Sequence, residues 1–405
     1  MSQATRIIVV ILSFLLEALP ETVGASSSTP NQQDQPRRLE TRLEQRTAQA
    51  QDRQEAFNTS RATPVSKGSA TATVQRGQTK LRSAGQLGVP GAVTPEEIVA
   101  AIQSLAQQEL ARRRARKWDL NTLLAWTVAD ETNPNLSKAQ KSALSTEEYL
   151  NSTFSYRLTP HVTWQAAYSL DAFHYNEFTD LSTATHSLAS KLIWQLAEPL
   201  RLEAHYTFDD SEYPYDKGSS TWDQTVHLRV RHSLLQTCYQ YGGWSYLNRQ
   251  YHDQPTLDGK GNRIAGKYRK DQRHTGIYEV GGTMGERTAL RVRQEFYFQK
   301  SNVAFQDFYD AQDYKVKVSG SHDFTGHWSS SGSFTYELKR YEQREVSDRA
   351  VAERDNVKTY QLGLTYRLSP EVDLAYLWRY VRQYSNDATQ KFGDVTNSLT
   401  ITAAF

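Results

Sequence analysis

The absences in this chain narrow the field before any motif does. One cysteine, Cys238, stands among 405 residues, so no intrachain disulfide can form and no cysteine-based metal site exists. Neither charge sign prevails: 47 Lys and Arg face 45 Asp and Glu, for a formal net charge of +2. A near-zero total says little about partners, so the distribution of charge matters more, and no nucleic-acid partner is expected. Past the N-terminus no run approaches the roughly 18 apolar residues of a membrane helix, and the mean hydropathy is −0.68. That excludes a helical membrane protein. It does not exclude a membrane barrel, where lipid-facing and inward-facing residues alternate and the average looks polar.

Enzyme signatures are missing too. There is no Gly-rich phosphate loop followed by Lys and Ser or Thr, and no His-Glu-x-x-His. Gly242-Gly243 and Gly281-Gly282 fall within strand patterns and read as sites of bending or close strand approach. His205, His227 and His232 also fall in strand patterns, with nothing to fix a nucleophile beside them. The acidic group Asp209, Asp210, Glu212 and Asp216 reads as a solvated loop in preference to a cation site. No catalytic residue, metal or cofactor is expected.

Aromatics, in contrast, are plentiful: 23 Tyr, 14 Phe and 8 Trp against 2 Met. Residues 1–25 read as an export signal, with Arg6 before the apolar run Ile7 to Leu12 and small residues at Val23-Gly24-Ala25. Residues 26–93 are rich in Gln, Arg, Ser, Thr and Ala and cannot bury enough apolar surface to fold alone. Residues 94–117 predict a helix: Thr94 caps, Pro95 suits the first turn, Glu97 closes a capping box, and Ile98, Val99, Ile102 and Leu105 form a stripe. It ends in Arg112-Arg113-Arg114-Ala115-Arg116-Lys117, which favours the C-terminal dipole.

From Trp118 onward the period is two. Leu200, Leu202, Ala204, Tyr206 and Phe208 share one face, and Arg201, Glu203, His205 and Thr207 the other. The stretch Tyr156-Arg157-Leu158-Thr159-Pro160-His161-Val162-Thr163-Trp164 echoes Tyr366-Arg367-Leu368-Ser369-Pro370-Glu371-Val372-Asp373-Leu374, and both read as strand, tight turn, strand. Other short turns fall near 197–199, 235–236, 285–286 and 325–326. Longer polar loops fall near 130–146, 175–184, 209–221, 249–271, 301–310, 342–355 and 385–393. This rhythm predicts, over 118–405, an all-β, transmembrane, antiparallel up-and-down β-barrel of about 14 strands, with a range of 12–16. Trp118, Trp126, Trp164, Trp194, Trp328 and Trp378 fit girdles at the two membrane interfaces.

The chain ends Val-Thr-Asn-Ser-Leu-Thr-Ile-Thr-Ala-Ala-Phe, apolar and hydroxylated residues alternating to the last position. This strand resembles the C-terminal strand of Gram-negative outer-membrane barrel proteins, porin-like chains that end in Phe or another aromatic. The resemblance implies an outer-membrane location, outer-membrane lipid as surroundings, and recognition by the barrel-assembly machinery. Leu399, Ile401, Ala403 and Phe405 would be the insertion signal, Ala403 being small for its place. It further implies that 26–117 lies in the periplasm. The final hairpin also resembles porin-like barrels, some of which accompany envelope-polysaccharide systems.

In this register the interior carries Arg157, Lys191, Arg201, Arg229, Arg231, Arg291, Arg293, Lys315, Lys317, Lys339, Arg367 and Arg379, with acids that include Glu203, Glu279, Glu295, Glu337 and Asp373. Like charges two apart on one face would be very costly in a dry core and make sense lining water. A basic lining lowers the barrier for anions. The leading expectation is a channel for small hydrophilic solutes, anionic or sugar-like. The alternative is a non-conducting structural or assembly barrel whose segment 26–117 binds an envelope partner. A lipid-modifying or proteolytic barrel is a distant third.

Overall fold

The computed structural model describes residues 117–133, 141–235, 237–304, 309–346 and 349–405. The export signal, the low-complexity segment and all but Lys117 of the capped helix lie outside the described residues. Fourteen strands account for nearly all the rest: β1 (Trp118–Glu131), β2 (Ala143–Thr159), β3 (Val162–Tyr175), β4 (Thr183–Ala197), β5 (Leu200–Glu212), β6 (Thr221–Ser233), β7 (Cys238–Leu257), β8 (Arg263–Met284), β9 (Thr288–Ser301), β10 (Ala311–Asp323), β11 (Trp328–Val346), β12 (Arg349–Arg367), β13 (Val372–Ser385) and β14 (Phe392–Ala404). Each pairs antiparallel with its sequence neighbours, and β1 pairs with β14, so the sheet is a closed barrel. This is the predicted fold and the predicted strand number.

Closure is made by the last residues of the chain. The seam runs from Leu123 opposite Ala404 to Glu131 opposite Thr396. Beyond it, the Phe405 N–H donates to the Thr122 carbonyl at 2.9 Å and the Thr122 N–H donates to the Phe405 carbonyl at 3.1 Å. The final residue is therefore paired in the ladder, as a strand inside hydrocarbon must be, because no water is there to satisfy its backbone.

The strict alternation sorts side chains to two environments. Outward positions carry apolar side chains that are bare on the isolated barrel, such as Leu188 at 57%, Leu228 at 50% and Leu362 at 61% exposure. Their inward neighbours are polar and covered, such as Glu203 and Arg379. Leaving so many large apolar groups in water would cost about 25 cal/mol for each Å², so this belt requires lipid. On β5 the outward run Leu200 to Phe208 rises ~3.3 Å per residue at a tilt of ~40°, which spans roughly 20 Å of height and approaches the ~25 Å band of outer-membrane barrels. Trp118, Trp164, Trp194 and Trp328 ring the short-turn end of this belt. Trp378 sits mid-belt between Tyr376 and Tyr380, so the girdle expected to include it does not.

Two expected loops are strand instead. The span read as loop at 249–271 is the tip of a long hairpin of strands of 20 and 22 residues, and 342–355 is the tip of another with 19 in each. Their charged residues suggest solvent. In the fold these residues find partners within the sheet: Arg269 pairs with Asp271 on its own strand at 2.5 Å, its guanidinium 3.2 Å from the Tyr309 ring centre, and Arg344 pairs with Glu353 across the second hairpin at 2.8 Å. The acidic group is also split. Asp209, Asp210 and Glu212 lie on β5 and alternate between its faces, while Asp216 accepts from the Ser219 hydroxyl at 2.7 Å.

Gly281 shows why the barrel wall needs glycine. A Cβ there would stand 2.6 Å from the Tyr239 ring, which lies flat across it from β7. Across the β6–β7 ladder Arg249 donates three hydrogen bonds of 2.6–3.1 Å to Asp223. Both are nearly covered, with side-chain exposures of 8% and 12%. Asp223→Ala leaves a buried cation and is expected to destabilise the barrel by about 3–5 kcal/mol. The measurement is urea unfolding in lipid vesicles, and a loss under about 1 kcal/mol would show the clamp to be idle. Replacing both partners with Leu and Met should recover much of the loss.

Candidate functional site: the charged interior wall

The interior face is a set of inclined rows in which each residue stands directly opposite the next across the ladder. One row runs Glu203, Arg229, Gly243, Ile277, Glu295, Lys315, Glu337. Its charged members alternate in sign. The row nearer the short turns runs Arg201, Arg231, Tyr241, Glu279, Arg293, Lys317, Thr335. This second row sets Arg201 against Arg231 and Arg293 against Lys317, two like-charge pairs at a spacing of about 4.5–5.5 Å between Cβ atoms.

The local chemistry shows how the wall tolerates this. Glu203 accepts from Lys191 at 2.7 Å and from Arg201 at 2.5 Å. Arg293 meets Glu295 at 2.6 Å, and Lys315 meets Glu337 at 3.1 Å. Arg229 and Arg231 form no ion pair among the described residues. They use π faces instead: the Arg231 guanidinium lies 4.0 Å from the Tyr239 ring centre and the Arg229 guanidinium 5.8 Å from that of Tyr241. The Tyr239 hydroxyl donates to Glu279 at 2.7 Å, which holds the ring beneath Arg231. Cation–π contacts supply only ~0.5–2 kcal/mol and neutralise no charge, so this patch keeps a positive field.

The twelve cations read as interior, and Glu203 with them, lie on the strand faces opposite the apolar belt. Arg157 is on β2, Lys191 on β4, Arg201 and Glu203 on β5, Arg229 and Arg231 on β6, Arg291 and Arg293 on β9, and Lys315 and Lys317 on β10. Lys339 is on β11, Arg367 ends β12 and Arg379 is on β13. They are not one cluster. Arg367 sits at the short-turn rim, 3.6 Å from Asp373, with half its side chain exposed. Lys339 lies toward the other end between Asp313 and Asp355. The group brought together is Lys191, Arg201, Arg229 and Arg231 on β4–β6, with Arg291, Arg293, Lys315 and Lys317 on β9–β10.

The interior also has an axial order that a period of two does not encode. Interior acids gather toward the long-loop end: Glu131, Glu147, Asp223, Asp313, Asp355 and Asp394 are all buried there. Interior cations dominate the half nearer the short turns. Arg249, Arg269 and Asp271 fall in a stretch whose composition reads as loop; the period of two continuing through 249–257 and 263–271 is the signal that marks them as strand. The interior is not uniformly polar either, since Val357, Val381 and Phe392 pack together on the inner side of β12–β14. His205 and His227 face inward and stack at 5.5 Å, and His232 points outward with Val230 and Leu228. Among the described residues no group of three or more His, Cys, Asp or Glu is arranged to hold a metal ion.

An even-stranded, closed antiparallel barrel with an apolar outer belt, a charged interior, short turns at one end and longer loops at the other defines a transmembrane β-barrel of the Gram-negative outer-membrane type. The chain is an outer-membrane protein. No protein-family model and no curated protein matches its sequence. Solved structures with a similar shape include the outer-membrane channel DcaP of Acinetobacter baumannii (8% identity, 71% of this chain and 97% of that one, TM-score 0.46). Others are outer-membrane OmpT of Vibrio cholerae (9%, 71% and 97%, 0.44) and an anion-selective porin from Comamonas acidovorans (10%, 71% and 99%, 0.43).

Proposed function

We propose that the protein is a porin-like channel that passes small hydrophilic solutes, anionic or sugar-like, along a basic interior wall, and that it is not an enzyme. The observation that carries this reading is the row holding Arg201 against Arg231 and Arg293 against Lys317. Directly opposed like charges cost stability. A barrel built only for rigidity would alternate signs there, as the neighbouring row does. Arg229 and Arg231 add two cations held by tyrosine faces and not by carboxylates. A wall of this kind lowers the barrier for an anion, and the adjacent tyrosines Tyr239 and Tyr241 offer flat surfaces to a sugar ring. The test is single-channel current of the refolded barrel in a planar bilayer under a salt gradient. A reversal potential favouring anions is expected, and Arg229→Glu with Arg231→Glu should lower the anion-to-cation permeability ratio several-fold. Steady cation selectivity in the unaltered protein, or no conductance at all, would overturn the reading.

We also propose that Leu399, Ile401, Ala403 and Phe405 form the insertion signal read by the barrel-assembly machinery. Leu399, Ile401 and Ala403 share the outward face of β14, and Phe405, the residue that follows the strand, is 70% exposed. Removing Phe405 should slow membrane assembly in cells, followed by heat-modifiable gel mobility, while leaving refolding in detergent nearly unchanged. Equal slowing in both settings would mean that the residue serves stability alone.

A further inference from the structure

The outward face carries a second charge arrangement that the channel reading does not use. Above the apolar belt on β11–β13 stand Arg340, Arg354, Lys358 and Arg382, all on outward positions. The ladder sets Arg340 directly against Arg354, and Lys358 directly against Arg382. Two like-charge pairs thus face the membrane side by side. On β12 they are four residues apart, about 13 Å along the strand. None of the four is in an ion pair among the described residues.

The neighbouring Lys300 makes the contrast. It faces outward at a similar height on β9, and it is held by Asp310 and Glu342, each at 2.8 Å. The chain therefore can neutralise a cation at this level, and on β11–β13 it does not. What it supplies there is an aromatic floor: the Tyr384 ring centre lies 5.5 Å from the Lys358 ammonium and 5.4 Å from the Arg382 guanidinium, and the tyrosine is itself exposed. Gly393, opposite Arg382, has no side chain to crowd it.

Height selects the ligand. Outward residues of β12 below Lys358 are Tyr360, Leu362, Leu364 and Tyr366, all apolar or aromatic. The cations begin where this belt stops, on the long-loop side, which faces out of the cell. That is the level of lipid headgroups in the outer leaflet. We propose that these two pairs form a binding site for an outer-leaflet glycolipid whose headgroup carries two phosphates, one at each pair. Each phosphate would offset a like-charge repulsion and accept charge-assisted hydrogen bonds from Arg or Lys, while the acyl chains lie against Leu362 and Leu364.

The test uses the full chain in lipid nanodiscs, titrated with bis-phosphorylated lipid A and with the same lipid enzymatically stripped of one or both phosphates, and read by native mass spectrometry. The bis-phosphorylated form should bind about tenfold tighter than the dephosphorylated one. Arg340→Gln, Arg354→Gln, Lys358→Gln and Arg382→Gln together should abolish that difference, and Lys300→Gln should not. Indifference of the unaltered protein to phosphate number overturns the proposal without any variant having to fold. Displacement by low-millimolar inorganic phosphate would overturn it as well, by showing a simple anion site with no lipid requirement.

Discussion

Everything in this barrel depends on the rule that no backbone donor or acceptor can be left open inside a bilayer. An open sheet of thirteen hairpin-linked pairings would still present two bare edges to hydrocarbon, at several kcal/mol for each unpaired group. The β1–β14 seam removes both edges, and it does so with the last strand of the chain, ending in the reciprocal bonds between Thr122 and Phe405. The terminal phenylalanine is thus a ladder residue and a lipid-facing side chain at once.

Closure then creates the problem that gives the interior its character. Once the outward face is surrendered to lipid, every charged residue of 118–405 must go inward or to the ends. The inward charges are arranged in three ways. Toward the long loops they form buried pairs such as Asp223 with Arg249 and Arg344 with Glu353. In mid-wall they alternate in sign along a row. Nearer the short turns, like charges stand opposed: Arg201 and Arg293 keep carboxylate partners, and Arg231 rests on a tyrosine ring. Buried pairs add little net stability and are costly to break, so the first arrangement stiffens the long hairpins. The third leaves a field, which is why function is assigned there.

The same sorting acts on the outside. The apolar belt ends sharply, and the residues just above it differ around the circumference. On β9 a lysine is neutralised by two acids, and on β11–β13 four cations are left for something outside the chain. Inner and outer surfaces thus show the same contrast between cations with carboxylate partners and cations without them.

The alternation from Trp118 to Phe405 by itself determined the barrel, a strand number near fourteen and the lipid face, because a period of two fixes which side of a sheet a residue takes. Phe405 as the last apolar member of that pattern was enough to suggest a membrane strand. Which inward residues meet was decided only by the tertiary structure. Strand stagger, not sequence spacing, puts Arg201 against Arg231, brings Glu203 between Lys191 and Arg201, and separates the acids of one end from the cations of the other. The tips of the long hairpins were hidden for a related reason. Arg249, Arg269 and Asp271 carry the composition of a loop, and only their cross-strand partners make them strand. The opposition of Lys358 to Arg382 on the outer face is legible nowhere in the sequence, since the two lie on different strands and are brought level by the register of a closed sheet.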